Sequence, residues 1–154
     1  MKLYLVQHGD AVAKEVDPGR PLSDRGQRDV QAMAGFLKQA GIGAQQVLHS
    51  GKRRAEQTAV ILASAMLTAG VPQTVSGIAP NDDVGVFVRA IADWNQDTVV
   101  VGHLPFMARL LSLLLSDDAE RELIRYQPGS VVCLERNEAG AWGINWMLRP
   151  ELLA

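Results

Sequence analysis

The sequence predicts an α/β protein: a three-layer α/β/α sandwich with a mostly parallel sheet and a C-terminal antiparallel hairpin. Short runs of apolar or β-branched residues, at positions 3–6 and 98–101, are typical of strands buried on both faces. Such runs alternate with segments whose apolar residues recur at helical spacing, which favours a parallel sheet covered by helices. Residues 130–148 instead alternate around Asn137-Glu138-Ala139-Gly140, which indicates a hairpin.

Turn and capping residues predict where the helices and strands of the first half of the chain begin and end. Pro18-Gly19 marks a loop, Ser23 or Asp24 is the expected N-cap of a helix, and Gly41 ends that helix. The predicted order is a strand at 3–6, a loop at 11–20, a helix at 24–40, a strand at 46–49 and a helix at 52–67.

The second half repeats the alternation and then changes to strands alone. Leu104-Pro105 is expected to open a helix, because proline is well tolerated in a first turn. The predicted order is a weak strand at 74–75, a helix at 84–94, a strand at 98–102 and a helix at 104–115. Two hairpin strands follow, at 130–135 and 141–148. No repeat or linker divides the chain, so residues 1–154 are predicted to form a single domain.

Composition excludes several classes of function. Hydrophobic residues make up 47% of the chain, charged residues 21%, and the net charge is −2, as in ordinary globular proteins. This balance argues against nucleic-acid partners and anionic membranes. The single cysteine, Cys133, lies in an apolar stretch and is interpreted as a core residue. The N-terminus lacks the pattern of a signal peptide, so we expect a cytoplasmic location.

All three histidines of the chain follow or end a predicted strand. They are His8, His49 and His103. A lone histidine at a strand end often has only a structural role. Because parallel strands share one carboxyl edge, where open α/β sheets bind ligands, three histidines in this position together indicate a functional site.

Basic residues accompany these histidines and favour an anionic ligand. Lys52, Arg53 and Arg54 stand at the start of the second helix, where backbone N–H groups also attract phosphate. Successive helical residues point about 100° apart, so at most one of the two arginines is expected to face the site. Two chemistries fit: a histidine that attacks a phosphoryl group, or three histidines that bind a metal such as zinc. The metal hypothesis lacks HxxxH or HxH spacing and leaves the arginines unexplained.

Three segments resemble one known family. They are Leu5-Val6-Gln7-His8-Gly9, the segment from Ser50 through Arg54-Ala55-Glu56-Gln57-Thr58, and Val101-Gly102-His103-Leu104-Pro105. In this order they resemble the histidine phosphatase superfamily, also called phosphoglycerate mutase-like. The short chain, Arg20-Pro21-Leu22 and the His-Leu-Pro tripeptide look most similar to its SixA branch of phosphohistidine phosphatases.

The resemblance implies roles for individual residues. His8 matches the nucleophile that forms a phosphohistidine intermediate, Arg54 the arginine that clamps phosphate, and His103 the second histidine of the site. Arg20 matches an arginine of the SixA branch, and Gly9 and Gln7 would contact the substrate. His49 and Arg53 match no catalytic position and are assigned to the rim of the site. No metal or other cofactor is implied.

Gln7 departs from the family pattern, which has arginine at this position. A glutamine amide donates hydrogen bonds to phosphate but carries no charge, which would cost about 2–3 kcal/mol, or about 30- to 150-fold. Two hypotheses follow: a working phosphatase with a less cationic site, or a protein that mainly binds phosphohistidine. We favour the first, since the nucleophile is retained.

The general acid is the least defined element of the site. Larger family members place a carboxylate in a loop that matches residues 79–83, so Asp82 and Asp83 are candidates, although an aspartate there also suits a helix N-cap. Asp17, just before Arg20, is another candidate. Phosphohistidine needs little acid help, because its P–N bond is weak.

The sequence therefore predicts a metal-independent phosphatase that acts on phosphohistidine in proteins. Its expected partner is a phosphohistidine-bearing signalling or phosphotransfer domain, because the short segment 115–129 offers little material for a lid. The alternatives are a phosphatase for small phosphoesters and a phosphohistidine-binding module. A mutase is disfavoured, since it must shield its intermediate from water.

Overall fold

The computed structural model describes residues 1–153, which form a sheet between two layers of helices. The strands are β1 (Lys2–Gln7), β2 (Gln46–His49), β3 (Gln73–Thr74), β4 (Thr98–Gly102), β5 (Val131–Arg136) and β6 (Trp142–Leu148). The helices are α1 (Asp24–Gln39), α2 (Arg53–Met66), α3 (Val84–Ala90) and α4 (Phe106–Ser116), followed by a 3₁₀ helix at Pro150–Leu153.

The sheet has the order β3-β2-β4-β1-β5-β6. Its first four strands are parallel, whereas β5 and β6 are antiparallel and form the C-terminal hairpin. Helices α1 and α2 pack on one face and α3 and α4 on the other. The structure therefore confirms the predicted three-layer fold, and it brings the carboxyl ends of β1 and β4 side by side.

The side chains of strand β1 show why the sheet lies between the two layers of helices. Tyr4 and Val6 pack toward α1 and α2, while Leu3 and Leu5 pack toward α3 and α4, and none of the four is more than 3% exposed. An apolar run without polar alternation suits a strand covered on both faces.

Several boundaries differ from the predicted ones, most of them by one residue. Helix α3 ends at Ala90 rather than 94, and the Arg136 side chain donates hydrogen bonds to the carbonyls of Ile91, Ala92 and Trp94 beyond it. These bonds satisfy carbonyl groups that a longer helix would have used internally. Helix α4 begins at Phe106, with Pro105 as its N-cap, and β3 lies one residue earlier than expected.

No helix within residues 1–153 is long and apolar enough to cross a bilayer.

The loop after β1 packs tightly on the start of α1, and glycine permits this approach. A Cβ atom on Gly26 would lie 2.0 Å from the backbone oxygen of Asp10, whereas one on Gly35 in the same helix would meet nothing within 4 Å. We expect Gly26→Ala to lower the free energy of unfolding by about 2 kcal/mol or more. Gly35→Ala should raise it by up to about 1 kcal/mol, because alanine favours the helix. Urea denaturation measures both, and equal effects would contradict the contact.

Candidate active site

A pocket of about 330 Å³ opens where β1 and β4 end, and we call it the histidine pocket. It is lined by Gln7, His8, Asp10, Ala11, Arg20, Arg54, Pro80, His103, Leu104 and Pro128. A larger cavity of about 810 Å³, next to α3, α4 and the hairpin, is lined by no histidine. The chemistry of the side chains, rather than cavity size, therefore identifies the candidate site.

Two hydrogen bonds fix the tautomer of His8. Its Nδ1 lies 2.7 Å from the carbonyl oxygen of Gly9, and the Arg54 Nε–H group donates to His8 Nε2 at 3.3 Å. A carbonyl oxygen only accepts and a guanidinium only donates, so the proton is on Nδ1 and a lone pair is on Nε2. Nε2 is thus the nitrogen that is ready to act as a nucleophile.

Burial lowers the pKa of His8 to about 4, from an ordinary value of 6.5. The hydrogen bond to the Gly9 carbonyl and the charge of Asp10 oppose this shift, whereas the positive charges of Arg54 and Arg20 add to it. His8 is therefore neutral at neutral pH, as a nitrogen nucleophile must be.

This low pKa has a direct spectroscopic consequence. We expect His8 to stay neutral, with the proton on Nδ1, from about pH 8 down to about pH 5, because protonation begins only as pH approaches the lowered pKa. Nitrogen-15 NMR of the imidazole groups measures this, with His8→Asn to assign the signal. A titration midpoint near the ordinary value of 6.5 would contradict the expected shift.

His103 faces His8 across the pocket, with the two ring centroids 5.0 Å apart. Its side chain is 2% exposed, and its Nε2 lies 2.6 Å from the Ser50 hydroxyl. Ser50 Oγ also accepts a bond from the Lys52 amide at 3.4 Å, which leaves the hydroxyl hydrogen available for His103. A proton would then sit on Nδ1, a buried atom without a hydrogen-bond partner in residues 1–153. Burial, followed by the nearby His8, lowers the pKa of His103 to about 3.

Two arginines bring positive charge to the pocket from different elements. Arg54 lies in the first turn of α2, and Arg20 comes from the loop before α1. Arg20 adopts a left-handed backbone with a φ of 46°, and its Nε–H donates to the Val12 carbonyl at 3.2 Å. A non-glycine residue held in this conformation is often part of a binding site. Arg53 points elsewhere: its guanidinium is 3.9 Å from Asp17, so only one of the two adjacent arginines enters the pocket.

Helix α2 also anchors both loops that carry the site. Thr58 is fully buried, and its hydroxyl accepts from the Gly9 amide at 3.0 Å and donates to the Arg54 carbonyl at 2.8 Å. The Gln57 side-chain oxygen accepts from the Leu22 amide at 2.7 Å, which holds the loop that contains Arg20. The motif residues around Arg54 thus fix the positions of its neighbours in the pocket.

Gln7 lies in the pocket wall and is 8% exposed. Its side-chain oxygen Oε1 is buried and has no hydrogen-bond partner within residues 1–153. A carbonyl oxygen only accepts hydrogen bonds, so this atom suits a donor group, and a phosphate oxygen would need the Gln7 amide nitrogen instead.

The structure revises the expected role of Gly9. Its amide is already bonded to Thr58, and Gly9 does not line the pocket. A Cβ atom here would lie 2.7 Å from the Val30 side chain and 3.2 Å from the Gly26 carbonyl. Gly9 therefore allows the loop after β1 to approach α1, and its carbonyl orients His8.

The predicted acids also lie outside the histidine pocket. Asp83 caps α3, where its side chain accepts from the Gly85 amide at 2.8 Å, and Asp82 accepts from the Ala79 amide at 2.9 Å. Asp17 accepts from the Gly19 amide at 2.9 Å and faces Arg53. All three carboxylates hold loops or a helix end. None of them lines the histidine pocket.

His49 is buried rather than on the rim. It is 4% exposed, and its Nδ1 accepts from the Gly51 amide at 3.1 Å. The described part of the chain contains no group of three or more histidine, cysteine, aspartate or glutamate side chains placed to hold a metal ion. The hypothesis of three histidines around one metal therefore fails, since His49 does not join the other two.

Two residues that the sequence did not single out contribute to the site. Asp10 lines the pocket, and Ser50 contacts His103. The sequence position of each could have identified it as a site residue: Asp10 lies in the loop just after His8, and Ser50 directly follows β2.

Comparisons with known proteins agree with this geometry. Residues 3–74 match the model of the histidine phosphatase superfamily (branch 1). An uncharacterized protein of Picosynechococcus sp. (strain PCC 7002) is 36% identical over 112 residues, which cover 68% of this chain and 67% of that protein. The chain belongs to the histidine phosphatase superfamily.

Solved structures share the fold at low sequence identity. The protein histidine phosphatase SixA complexed with tungstate superposes with a TM-score of 0.86, at 24% identity and with all of both chains covered. The α-ribazole phosphatase of Shigella flexneri gives 0.79 at 17% identity, with 97% of each chain covered. The phosphoserine phosphatase of Entamoeba histolytica gives 0.73 at 14% identity, with 99% of each chain covered. These likenesses extend the fold over the whole chain, including the part beyond residue 74.

Proposed function

We propose that the protein is a metal-independent phosphatase that removes phosphate from phosphohistidine in proteins, through a covalent intermediate on His8. The observation that carries this proposal is the neutral His8, whose Nε2 lone pair is directed at the Arg54 guanidinium. An arginine beside an unprotonated nucleophile is suited to bind the phosphoryl group that the nucleophile attacks.

The reaction takes two steps. In the first, His8 Nε2 forms a bond to phosphorus, and the bond from phosphorus to the substrate imidazole breaks. The electron pair stays on that imidazole, whose nitrogen takes up one proton from an acidic group of the pocket as it leaves. In the second, a water oxygen bonds to phosphorus, the electron pair of the P–N bond returns to His8, and phosphate is released.

The surrounding groups stabilise charge during transfer. Arg54 and Arg20 carry planar donor groups that match phosphoryl oxygens, and the unpartnered Nδ1–H of His103 can serve another oxygen. The Gly9 carbonyl, 2.7 Å from His8 Nδ1, supports the positive charge that develops on the attacking ring.

The mouth of the pocket supports a substrate carried by a protein. Leu104, 38% exposed, lines the pocket together with the half-buried Pro80 and Pro128. Apolar side chains around a small pocket can rest against a protein surface while the phosphoryl group reaches His8. SixA, a structure to which this chain is similar, is itself described as a protein histidine phosphatase.

A direct comparison of substrates tests the proposal. A phosphohistidine-bearing phosphotransfer domain and p-nitrophenyl phosphate are each incubated with the protein, with and without EDTA, and phosphate release is measured. We expect higher kcat/KM for the phosphohistidine domain and no effect of EDTA. Preference for the small ester would indicate a small-molecule phosphatase, and tight binding without turnover would indicate a binding module. Loss of activity in EDTA would contradict the metal-independent mechanism.

Gln7 offers a separate test of phosphate binding. Gln7→Arg should tighten the binding of inorganic phosphate by about tenfold or more, because a charge-assisted hydrogen bond replaces a neutral one. Isothermal titration calorimetry measures this affinity, with Gln127→Arg, outside the pocket, as a control for added charge. An unchanged affinity would show that the side chain at position 7 does not contact phosphate.

A further inference from the structure

The histidine pocket contains one carboxylate, that of Asp10, among its lining residues in the described chain 1–153. The acids expected from the sequence are bonded elsewhere: Asp83 to the start of α3, and Asp17 to Gly19 and Arg53. Asp10 follows His8 by two residues, and its charge acts on the His8 ring. It therefore lines the same pocket as the reacting group.

The Asp10 carboxyl group is held in position by the helix that it adjoins. Its Oδ2 accepts a hydrogen bond from the Ser23 hydroxyl at 2.5 Å, and Ser23 in turn caps α1 by accepting from the Gly26 amide at 3.0 Å. The Asp10 carbonyl oxygen also accepts from the Ser23 amide at 2.9 Å. Within residues 1–153, the side-chain hydrogen bonding of Asp10 involves Oδ2, so Oδ1 is available to a substrate.

The weak P–N bond of phosphohistidine lessens the demand for an acid, but the released imidazole still takes up a proton. The imidazole that leaves phosphorus must gain a proton, and both pocket histidines are neutral with their protons on Nδ1. Among the lining residues within 1–153, Asp10 carries the one carboxyl group, and a carboxyl group can hold and release a proton.

We propose that Asp10 is the proton donor to the leaving group, within the phosphatase reaction proposed above, on which this inference rests. As the bond between phosphorus and the leaving atom breaks, the electron pair stays on that atom and takes the proton of the Asp10 carboxyl group. In the second step, the Asp10 carboxylate accepts a proton from the attacking water. The acid is thus restored after each turnover.

Leaving-group basicity provides the test. Phenyl phosphate and p-nitrophenyl phosphate are nearly equal in size, but phenolate is much more basic than p-nitrophenolate and depends more on an acid. With enzyme in excess, rapid mixing gives the rate at which each phenol is released in the first turnover. We expect Asp10→Asn to slow the release of phenol by about 100-fold and that of p-nitrophenol by less than about tenfold.

Matched variants separate this role from a structural one. Asp17→Asn, in the same loop region but outside the pocket, should leave both rates unchanged, because asparagine still accepts from the Gly19 amide. Ser23→Ala removes the bond to Asp10 and the helix cap but retains the acid, so the ratio of the two rates should stay close to that of the unaltered protein.

The outcomes are distinct. Equal slowing of both substrates by Asp10→Asn, or no slowing, would overturn the role of Asp10 while leaving the phosphatase function intact. An unaltered protein that formed no phosphoenzyme with either ester, or with a phosphohistidine domain, would instead overturn the proposed function. A larger loss for p-nitrophenyl phosphate than for phenyl phosphate would also exclude proton donation by Asp10.

Discussion

His8→Ala is expected to abolish formation of the phosphoenzyme and to reduce phosphate release on the order of 10⁴-fold or more, as the loss of a covalent nucleophile does. The structure gives the reason: the replacement removes the Nε2 lone pair that lies 3.3 Å from Arg54 Nε. Nothing else in the pocket replaces it, because His103 is oriented by Ser50 and its Nε2 is engaged there.

Two measurements check this expectation. A phosphohistidine domain labelled on phosphorus should transfer acid-labile label to the unaltered protein and none to His8→Ala. A thermal melt of both proteins separates loss of chemistry from loss of fold. Label on His8→Ala, or activity within tenfold of the unaltered protein, would contradict a nucleophile at position 8.

The fold was predictable because its signals are local. The apolar run before His8 and the β-branched run before His103 are typical of strands covered on both faces, and Asn137-Glu138-Ala139-Gly140 indicated the hairpin. The end of α3 was not predictable, since it depends on Arg136, which lies 46 residues beyond Ala90 in the chain. A contact between residues so far apart in the chain cannot be predicted from the sequence pattern around either of them.

The register of the sheet explains why the three histidines do not form one cluster. Gln7 pairs with Gly102, so His8 and His103 leave their strands at the same level. His49 pairs with Val101, which places it two residues lower, or about 7 Å from that level. Ser50, the residue directly after β2, therefore contacts His103 instead. The sequence pattern of a single strand does not show how that strand is aligned with its neighbours in the sheet.

The choice among carboxylates could not be made from the sequence for a similar reason. An aspartate before a helix, such as Asp83, has the same local pattern whether it caps the helix or serves a reaction. Asp10 and Asp17 belong to the same loop region, and only the packing of that region on Ser23 and Arg53 separates their roles.

Arg54→Ala is expected to lower kcat/KM by about 10³-fold or more, or about 4 kcal/mol, the effect typical of a charge that stabilises a transferring phosphoryl group. Arg53→Ala is the matched control, because Arg53 is adjacent in the chain, carries the same charge and faces Asp17 outside the pocket. It should change activity by less than about threefold, the scale of an exposed ion pair.

Arg54→Lys distinguishes the geometry of the group from its charge. Lysine retains the positive charge but lacks the planar pair of donors and the Nε–H that holds His8 Nε2. Activity between those of Arg54→Ala and the unaltered protein would show that both charge and shape contribute. Steady-state kinetics with the phosphohistidine domain measures all three variants. Equal losses for the replacements at 53 and 54 would contradict the placement of Arg54 in the pocket, because only the general charge of the α2 N-terminus would then matter.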